Sequence, residues 1–85
     1  MESAPTLAAA RERLERLHIR LTPLRRAVLE TMHGEAARPS VEALCRLLRP
    51  RFPRVNATAV RNAVLVFDKL GLLPPSDGGG SSRAG

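Results

Sequence analysis

Apolar residues recur three and four positions apart along most of this chain, which is the spacing of one face of an α-helix. In segment 7–18 they form a single stripe made up of Leu7, Ala10, Leu14 and Leu17. Glu12 and Arg16 stand one turn apart and can pair on the solvent side. This spacing predicts a first helix over 7–18.

A threonine–proline pair predicts the start of a second helix. The hydroxyl of Thr22 can cap free N–H groups, and Pro23 at the first helical position gives up a donor that would have no partner there. Gly34 is the expected C-terminal cap. The expected buried face consists of Leu24, Ala27, Val28, Thr31 and Met32.

A serine and a proline bound a third helix. Pro39-Ser40 is expected to open it, Glu42 lies in its first turn and Pro50 stops it. Its apolar side is predicted to comprise Val41, Leu44, Leu47 and Leu48.

A fourth helix is predicted after a fixed loop over 50–55. Asn56 is its N-terminal cap, and the helix runs to Leu70 and closes at Gly71. Its predicted core face is Ala57, Val60, Val64, Phe67 and Leu70. The four segments together predict an all-α fold with a helix–loop–helix at its centre.

The domain is expected to span 7–73, because 85 residues leave room for one domain at most. Residues 1–6 are predicted to be a flexible N-terminus, and residues 1–10 lack the basic and apolar regions of a secretory signal. Residues 74–85 follow two prolines with mostly Gly, Ser and Asp. Such a composition cannot offset its ordering entropy, so we expect a disordered tail.

The charge balance favours an anionic partner. Fourteen basic residues against eight acidic ones give a net charge of +6, and every basic residue except Lys69 is an arginine. No apolar run reaches the roughly 20 residues of a membrane span, and the arginines are spread over several helices, so we expect no membrane partner. The lone Cys45 supplies neither an internal disulfide nor a CxxC zinc site, and a small core or boundary position is expected for it.

An enzyme is the class that the sequence supports least. It contains no nucleophile–base pair, no placed pair of carboxylates and no glycine-rich phosphate loop before a helix. A cytoplasmic binding protein is the expected class.

The predicted fourth helix carries a second, mostly polar stripe that the core does not use. Its members, at positions i, i+3, i+4 and i+7, are Thr58, Arg61, Asn62 and Leu65. Arginine can offer a bidentate fork to guanine, and asparagine can do the same for adenine. This pattern is typical of a helix that reads DNA, although such side chains are otherwise simply solvated on an exposed face.

Further polar and basic residues are placed to hold the DNA backbone. They flank the starts of the second and fourth helices, where backbone N–H groups can also bind phosphate. The predicted DNA-binding set outside the stripe is Arg20, Thr22, Arg25, Arg26, Arg54 and Asn56.

Residues 14–73 resemble the N-terminal, winged-helix DNA-binding region of the ferric uptake regulator (Fur) family of bacterial metal-responsive repressors. Two stretches carry the resemblance, 20–29 and 39–44 followed by 55–73. Residues 20–29, RLTPLRRAVL, are similar to the family pattern R-x-T-x-x-R-x-x-[IV]-L. Residues 39–44, PSVEAL, follow the family's S-A-E-E-L helix, and 55–73 end in DKLGLL where the family has E-E-x-G-L-V. The resemblance implies a four-helix, helix-turn-helix domain whose wing is truncated or absent, because Pro74-Pro75 follow at once.

The family's base-contacting residues are only partly matched. Arg20 matches a basic residue that the family uses near the minor groove. When residues 55–73 are aligned to the family without a gap, anchored on DKLGLL, Arg61 stands where the family has tyrosine and Asn62 where it has arginine. We call this alignment the gapless register. A shift by one residue would place Arg61 on the family arginine, but it requires an insertion within the helix. The gapless register predicts a sequence preference different from the family's AT-rich operators.

This chain departs from the family at its metal-binding residues, so we expect no metal or other cofactor. The family histidine before the third helix falls at Arg38, and His18 and His33 match no family ligand. The family's metal-sensing and dimerisation residues come largely after the DNA-binding region, and we expect that half to be missing here.

These observations predict a DNA-binding transcriptional regulator, a repressor of Fur-like type that inserts helix 56–70 into the major groove of double-stranded DNA. The alternative is a protein-interaction module that pairs with and modulates a full-length Fur-type repressor without binding DNA specifically itself. Leu65 and Val66, expected on an exposed segment of the fourth helix, fit that alternative. A core of this size is marginal, so we expect self-association or DNA binding to contribute to stability.

Overall fold

The computed structural model describes residues 6–35 and 38–74, and its regular elements there are four α-helices. They are α1 (Leu7–Arg16), α2 (Pro23–Gly34), α3 (Val41–Leu48) and α4 (Ala57–Lys69). No strand occurs within the two described ranges. Helices α2, α3 and α4 pack on one another, and α1 packs on α2. The predicted all-α fold, with α3 and α4 as a helix–loop–helix, is confirmed.

Each helix begins at a polar side chain that accepts a hydrogen bond from the backbone N–H three residues later. The N···O distances lie between 2.9 and 3.2 Å. The capping residues are Thr6, Thr22, Ser40 and Asn56. Thr22 and Asn56 were predicted as caps from the sequence, and Ser40 was predicted to lie at the start of α3. Pro23 occupies the first position of α2 as expected.

Helices α1 and α4 end in the same hydrogen-bonded turn. At the end of α1, the N–H of His18 donates to Glu15 O and the N–H of Ile19 donates to Leu14 O, both at 3.0 Å. The corresponding residue after α4 is Gly71. The turn requires a left-handed residue, and φ is 58° at His18 and 70° at Gly71. The predicted closure of α4 at Gly71 is therefore confirmed.

The core lies between the four helices and continues into the segment after α4. Phe67 and Leu44 are among its largest fully buried side chains. Cys45 is buried, as expected of a small core residue. The remaining buried apolar residues are Ala10, Leu14, Ala27, Val28, Leu29, Met32, Leu48, Val60, Ala63, Leu72 and Leu73.

Three predicted core residues are exposed. Leu17 is 44% exposed because α1 stops at Arg16, so Leu17 lies beyond its last turn. Leu47 is 48% exposed, because Leu44, Cys45 and Leu48 meet the core on the other side of α3. Ala57 is exposed because it is the first residue of α4, and the buried face of α4 begins one turn later.

Smaller differences concern helix ends and partial burial. Gly34 does not cap α2: it is the last helical residue, and the extended Glu35 follows it. Thr31 is only half-buried. The ends of α1 and α4 differ by one or two residues from the predicted bounds.

The two predicted flexible ends lie almost entirely outside the described residues, at 1–5 and 75–85. At their inner edges, Thr6 caps α1 and Pro74 is half-buried. The predicted domain bounds otherwise stay a prediction.

Candidate nucleic-acid interface

Helix α4 separates its side chains into a buried face and an exposed face. Its fully buried members are Val60, Ala63 and Phe67. Successive residues are about 100° apart around a helix, so the predicted reading residues fall on the opposite side, within an arc of roughly 100°. All four are exposed: Thr58, Arg61, Asn62 and Leu65. The structure thus brings these four together on one solvent-accessible surface, which we call the α4 outer face.

The first turn of α4 is fixed by Asn56. Its Oδ1 accepts a hydrogen bond from the Ala59 N–H at 2.9 Å. Its amide nitrogen is a donor that this bond does not use. Thr58, Arg61 and Asn62 follow within the first half of the helix, toward the end where the helix dipole is positive.

The loop between α3 and α4 places Arg54 beside the start of α2. A groove of about 400 Å³ is lined by Arg54 and Val55 from the loop and by Leu24 from the first turn of α2. Arg54 itself is exposed. The two helix starts that the sequence assigned to DNA binding therefore meet at this groove.

The remaining predicted residues lie around the start of α2 and point in more than one direction. Arg20 is exposed before the helix, and the Oγ1 of Thr22 accepts a hydrogen bond from the Arg25 N–H at 3.2 Å. Arg25 is half-buried. Arg26 lines a different groove with Arg11, Ile19 and other residues of α1 and the α1–α2 connection. Arg26 and Arg54 thus line different grooves.

The cations of this surface are not neutralised by carboxylates in the described part of the chain. Only two ion pairs occur there. One joins Glu12 to Arg16, as the sequence predicted, and the other joins Arg38 to Asp68. Neither involves a residue of the predicted DNA-binding set. The whole chain carries a net charge of +6, so an anion near these arginines is electrostatically favoured.

The described residues do not form a site for the metal to which the Fur family responds. At the position of the family histidine, the guanidinium of Arg38 lies 3.1 Å from Asp68. His33 Nε2 lies 2.8 Å from the Leu72 carbonyl oxygen, and Cys45 is buried. Among residues 6–35 and 38–74, no three His, Cys, Asp or Glu side chains are grouped as ligands.

The sequence did not predict two contacts that position α4. Asp68 appeared only as part of a family motif, and nothing in its neighbourhood along the chain indicated Arg38 as its partner 30 residues away. The hydrogen bond between His33 and the Leu72 carbonyl likewise joins residues 39 positions apart. The sequence around either residue gives no indication of a contact between residues so far apart in the chain.

The last turns of α4 form a second exposed surface. Leu65 is 56% exposed, whereas Val66 is half-buried, so the expectation that both are exposed holds only for Leu65. A shallow cavity of about 560 Å³ is lined by Leu65, Val66, Asp68 and Lys69. No helix in the described ranges combines the length and the apolar character needed to cross a membrane.

Comparison with curated proteins finds regulators of the peroxide response. The chain is 32% identical over 71 residues to the peroxide operon regulator of Bacillus subtilis, an overlap that covers 84% of this chain and 49% of that protein. It is 29% identical over 69 residues to the peroxide-responsive repressor PerR of Staphylococcus aureus strain Mu50, and 26% identical over 69 residues to PerR of Staphylococcus epidermidis. Each of these overlaps covers 81% of this chain, and they cover 47% and 46% of the two repressors.

The chain thus spans about half the length of the curated relatives it matches. No family model matches it. The relatives are regulators and repressors by name, in agreement with the expectation of a protein that is not an enzyme. The resemblance read from the sequence is confirmed: over its helical region, this chain is related to the peroxide-responsive regulators of the Fur family.

Proposed function

We propose that this chain is a DNA-binding transcriptional regulator, a repressor of Fur-like type whose α4 reads the major groove of double-stranded DNA. The observation that carries the proposal is the α4 outer face. It presents Arg61 and Asn62 to solvent on the first half of a helix whose other side is anchored in the core. The names of the relatives, a peroxide operon regulator and peroxide-responsive repressors, agree with this role.

In this mechanism the α4 outer face supplies sequence discrimination. Arg61 donates two hydrogen bonds to the O6 and N7 of a guanine, and Asn62 pairs with the N6 and N7 of an adenine. Leu65 and the methyl group of Thr58 provide apolar contact to a thymine methyl group. Each bidentate pair contributes about 1–3 kcal/mol of discrimination against the wrong base.

The residues around the two helix starts supply affinity rather than discrimination. Arg20, Arg25 and Arg54 contact phosphates, together with the backbone N–H groups at the starts of α2 and α4. Arg26, turned toward α1, reaches a phosphate only on the flank of the site. We place the protein in the cytoplasm, where its DNA partner is found in a bacterial cell.

Fluorescence anisotropy with duplex DNA over a range of salt concentrations tests the proposal. Neutralising three to five phosphates predicts a slope of log K against log salt of roughly −3 to −4.5. The double variant Arg61→Ala/Asn62→Ala should lose most of the preference for a selected duplex over an unrelated one. Arg16→Ala on α1 removes the same charge away from the proposed interface and is the matched control.

A DNA affinity that does not change with salt concentration contradicts the proposal. So does a double variant that binds and discriminates as well as the unchanged protein does.

A second candidate function is a protein-interaction module that pairs with a full-length Fur-type repressor. The observation that favours it is the exposure of Leu65 beside the cavity at the last turns of α4. Co-purification with such a repressor, lost in Leu65→Glu, together with no intrinsic DNA affinity, would favour this function over DNA reading.

A further inference from the structure

A groove between the first turn of α2 and the α3–α4 loop combines an apolar floor with two cations. Its volume is about 400 Å³. The floor side chains Leu24, Phe52 and Val55 are half-buried and pack against the core. The exposed lining residues are Arg51, Pro53 and Arg54. The groove therefore combines apolar contact with exposed guanidinium donors.

The loop that forms the groove is held by its own backbone. The N–H groups of Arg51 and Phe52 both donate to the Leu48 carbonyl, at 3.0 and 2.8 Å, and the Val55 N–H donates to Phe52 O at 2.9 Å. Pro53 has its φ fixed by its ring. Because the loop is already ordered, a ligand would not have to order it on binding.

The two arginines are available to an anion. Neither Arg51 nor Arg54 forms an ion pair with a carboxylate in the described ranges. The Arg51 Cζ lies 5.3 Å from the centroid of the Phe52 ring, a cation–π contact that keeps this guanidinium beside the floor residue Phe52. A guanidinium is a planar fork of N–H donors that matches the two oxygens of a carboxylate.

We propose that this groove binds a small aromatic carboxylate. The aromatic ring lies against Leu24, Pro53 and Val55, and the carboxylate accepts hydrogen bonds from Arg51 or Arg54. A phosphodiester alone would leave the apolar floor without a partner, and a neutral ring would leave both guanidinium groups without an anion. The volume lies near the lower end of the range for small-molecule sites, which favours a compact ligand over a peptide segment.

A nuclear magnetic resonance titration of the full chain with 2-naphthoate tests this assignment. The backbone amide resonances of the groove residues other than Pro53 should shift and saturate with a Kd on the order of 1 mM, the strength of a compact ligand in an open groove. They belong to Leu24, Arg51, Phe52, Arg54 and Val55. 2-Naphthamide has the same ring without the charge and should bind at least tenfold more weakly. Shifts that do not saturate, or equal binding of the amide, would overturn the proposal.

Exposed arginine variants keep the test independent of folding. Arg51→Gln/Arg54→Gln should weaken naphthoate binding at least tenfold, whereas Arg13→Gln/Arg16→Gln on α1 removes the same charge and should leave it unchanged. Equal weakening by the two double variants would show general attraction to a basic protein and overturn the site. An acidic peptide that shifts the groove resonances while naphthoate does not would overturn the choice of a small ligand.

One consequence rests on the proposed function. Because Arg54 also belongs to the proposed DNA interface, saturating naphthoate should lower the affinity for duplex DNA in the unchanged protein, and by less in Arg51→Gln/Arg54→Gln. If the chain binds no DNA, the proposed function fails, while the titration still decides whether the groove binds carboxylates.

Discussion

Arg38 and Asp68 form an ion pair with 3.1 Å between Nη2 and Oδ2. The pair joins the segment before α3 to the last turns of α4. The Arg38 side chain is 19% exposed and that of Asp68 52%, so the pair is partly shielded from solvent. The contact of His33 with the Leu72 carbonyl lies at the same end of α4. Together these contacts hold the helix that carries the proposed reading face.

A double-mutant cycle measures this pair. We expect a coupling energy of about 1 kcal/mol between Arg38→Ala and Asp68→Ala, at the upper end of the range for surface pairs because Arg38 is largely shielded. The free energy of unfolding of each variant comes from urea titrations followed by circular dichroism. The control is the Glu12–Arg16 pair, in which Arg16 Nη2 lies 3.9 Å from Glu12 Oε2 and both side chains are largely exposed. Its coupling energy should be about 0.3 kcal/mol. Equal coupling in the two pairs would contradict the prediction.

Substitutions at the two left-handed residues, His18 and Gly71, should change the free energy of unfolding in opposite directions. His18→Gly should raise the free energy of unfolding by about 0.5–1 kcal/mol, because it relieves a side chain held at φ 58°. Gly71→Ala should lower it by about 1 kcal/mol, although an added Cβ at Gly71 would meet no atom within 4 Å. Thermal unfolding of both variants checks the signs. Two shifts in the same direction would contradict the role of these turns.

Local features of the fold could be predicted because their causes lie within a few residues of one another. The caps Thr22, Ser40 and Asn56 act on N–H groups three residues away, and Gly71 acts on the adjacent turn. The second left-handed turn was missed because His18 carries a Cβ and gives no glycine signal.

Helix α3 offers a matched pair of leucines that tests the corrected core assignment. Leu44 is fully buried, and Leu44→Ala should lower the free energy of unfolding by about 3 kcal/mol through lost apolar burial and a cavity. Leu47→Ala removes the same atoms from a residue that is 48% exposed and should cost less than about 1 kcal/mol. Urea denaturation distinguishes the two. A loss at Leu47 as large as that at Leu44 would contradict the assignment of Leu47 to the surface.

Asn56 allows its capping role to be separated from its proposed role in DNA binding. Asn56→Asp keeps an oxygen acceptor for the Ala59 N–H, so stability should change by less than about 0.5 kcal/mol. The added negative charge should weaken DNA binding about fivefold, since two charges about 4 Å apart in water interact with about 1 kcal/mol. Asn56→Ala should instead lower stability by about 1 kcal/mol. Unchanged DNA affinity in Asn56→Asp would show that Asn56 does not lie in the DNA interface.

The same distinction applies to the candidate site: features set by local spacing could be predicted, and features set by helix packing could not. Periodicity placed Thr58, Arg61, Asn62 and Leu65 on one face, and all four are exposed. Arg26 lines a groove with residues of α1, and Leu24 lines another groove with Arg54. Both placements depend on how α1, α2 and the α3–α4 loop pack, which the spacing of residues along the chain does not reveal. Ala57 was misassigned because periodicity alone does not say at which turn a helix first meets the core.

The most direct test of the central claim is selection from a random duplex library at two salt concentrations, for the unchanged protein and for Arg61→Ala/Asn62→Ala. The α4 outer face predicts an enriched motif that contains a guanine and an adenine and persists at the higher salt concentration. The double variant should lose the motif while keeping salt-sensitive binding to bulk DNA, since its phosphate contacts remain. The absence of any enriched motif, or the same motif selected by the double variant, would contradict the claim that α4 reads DNA.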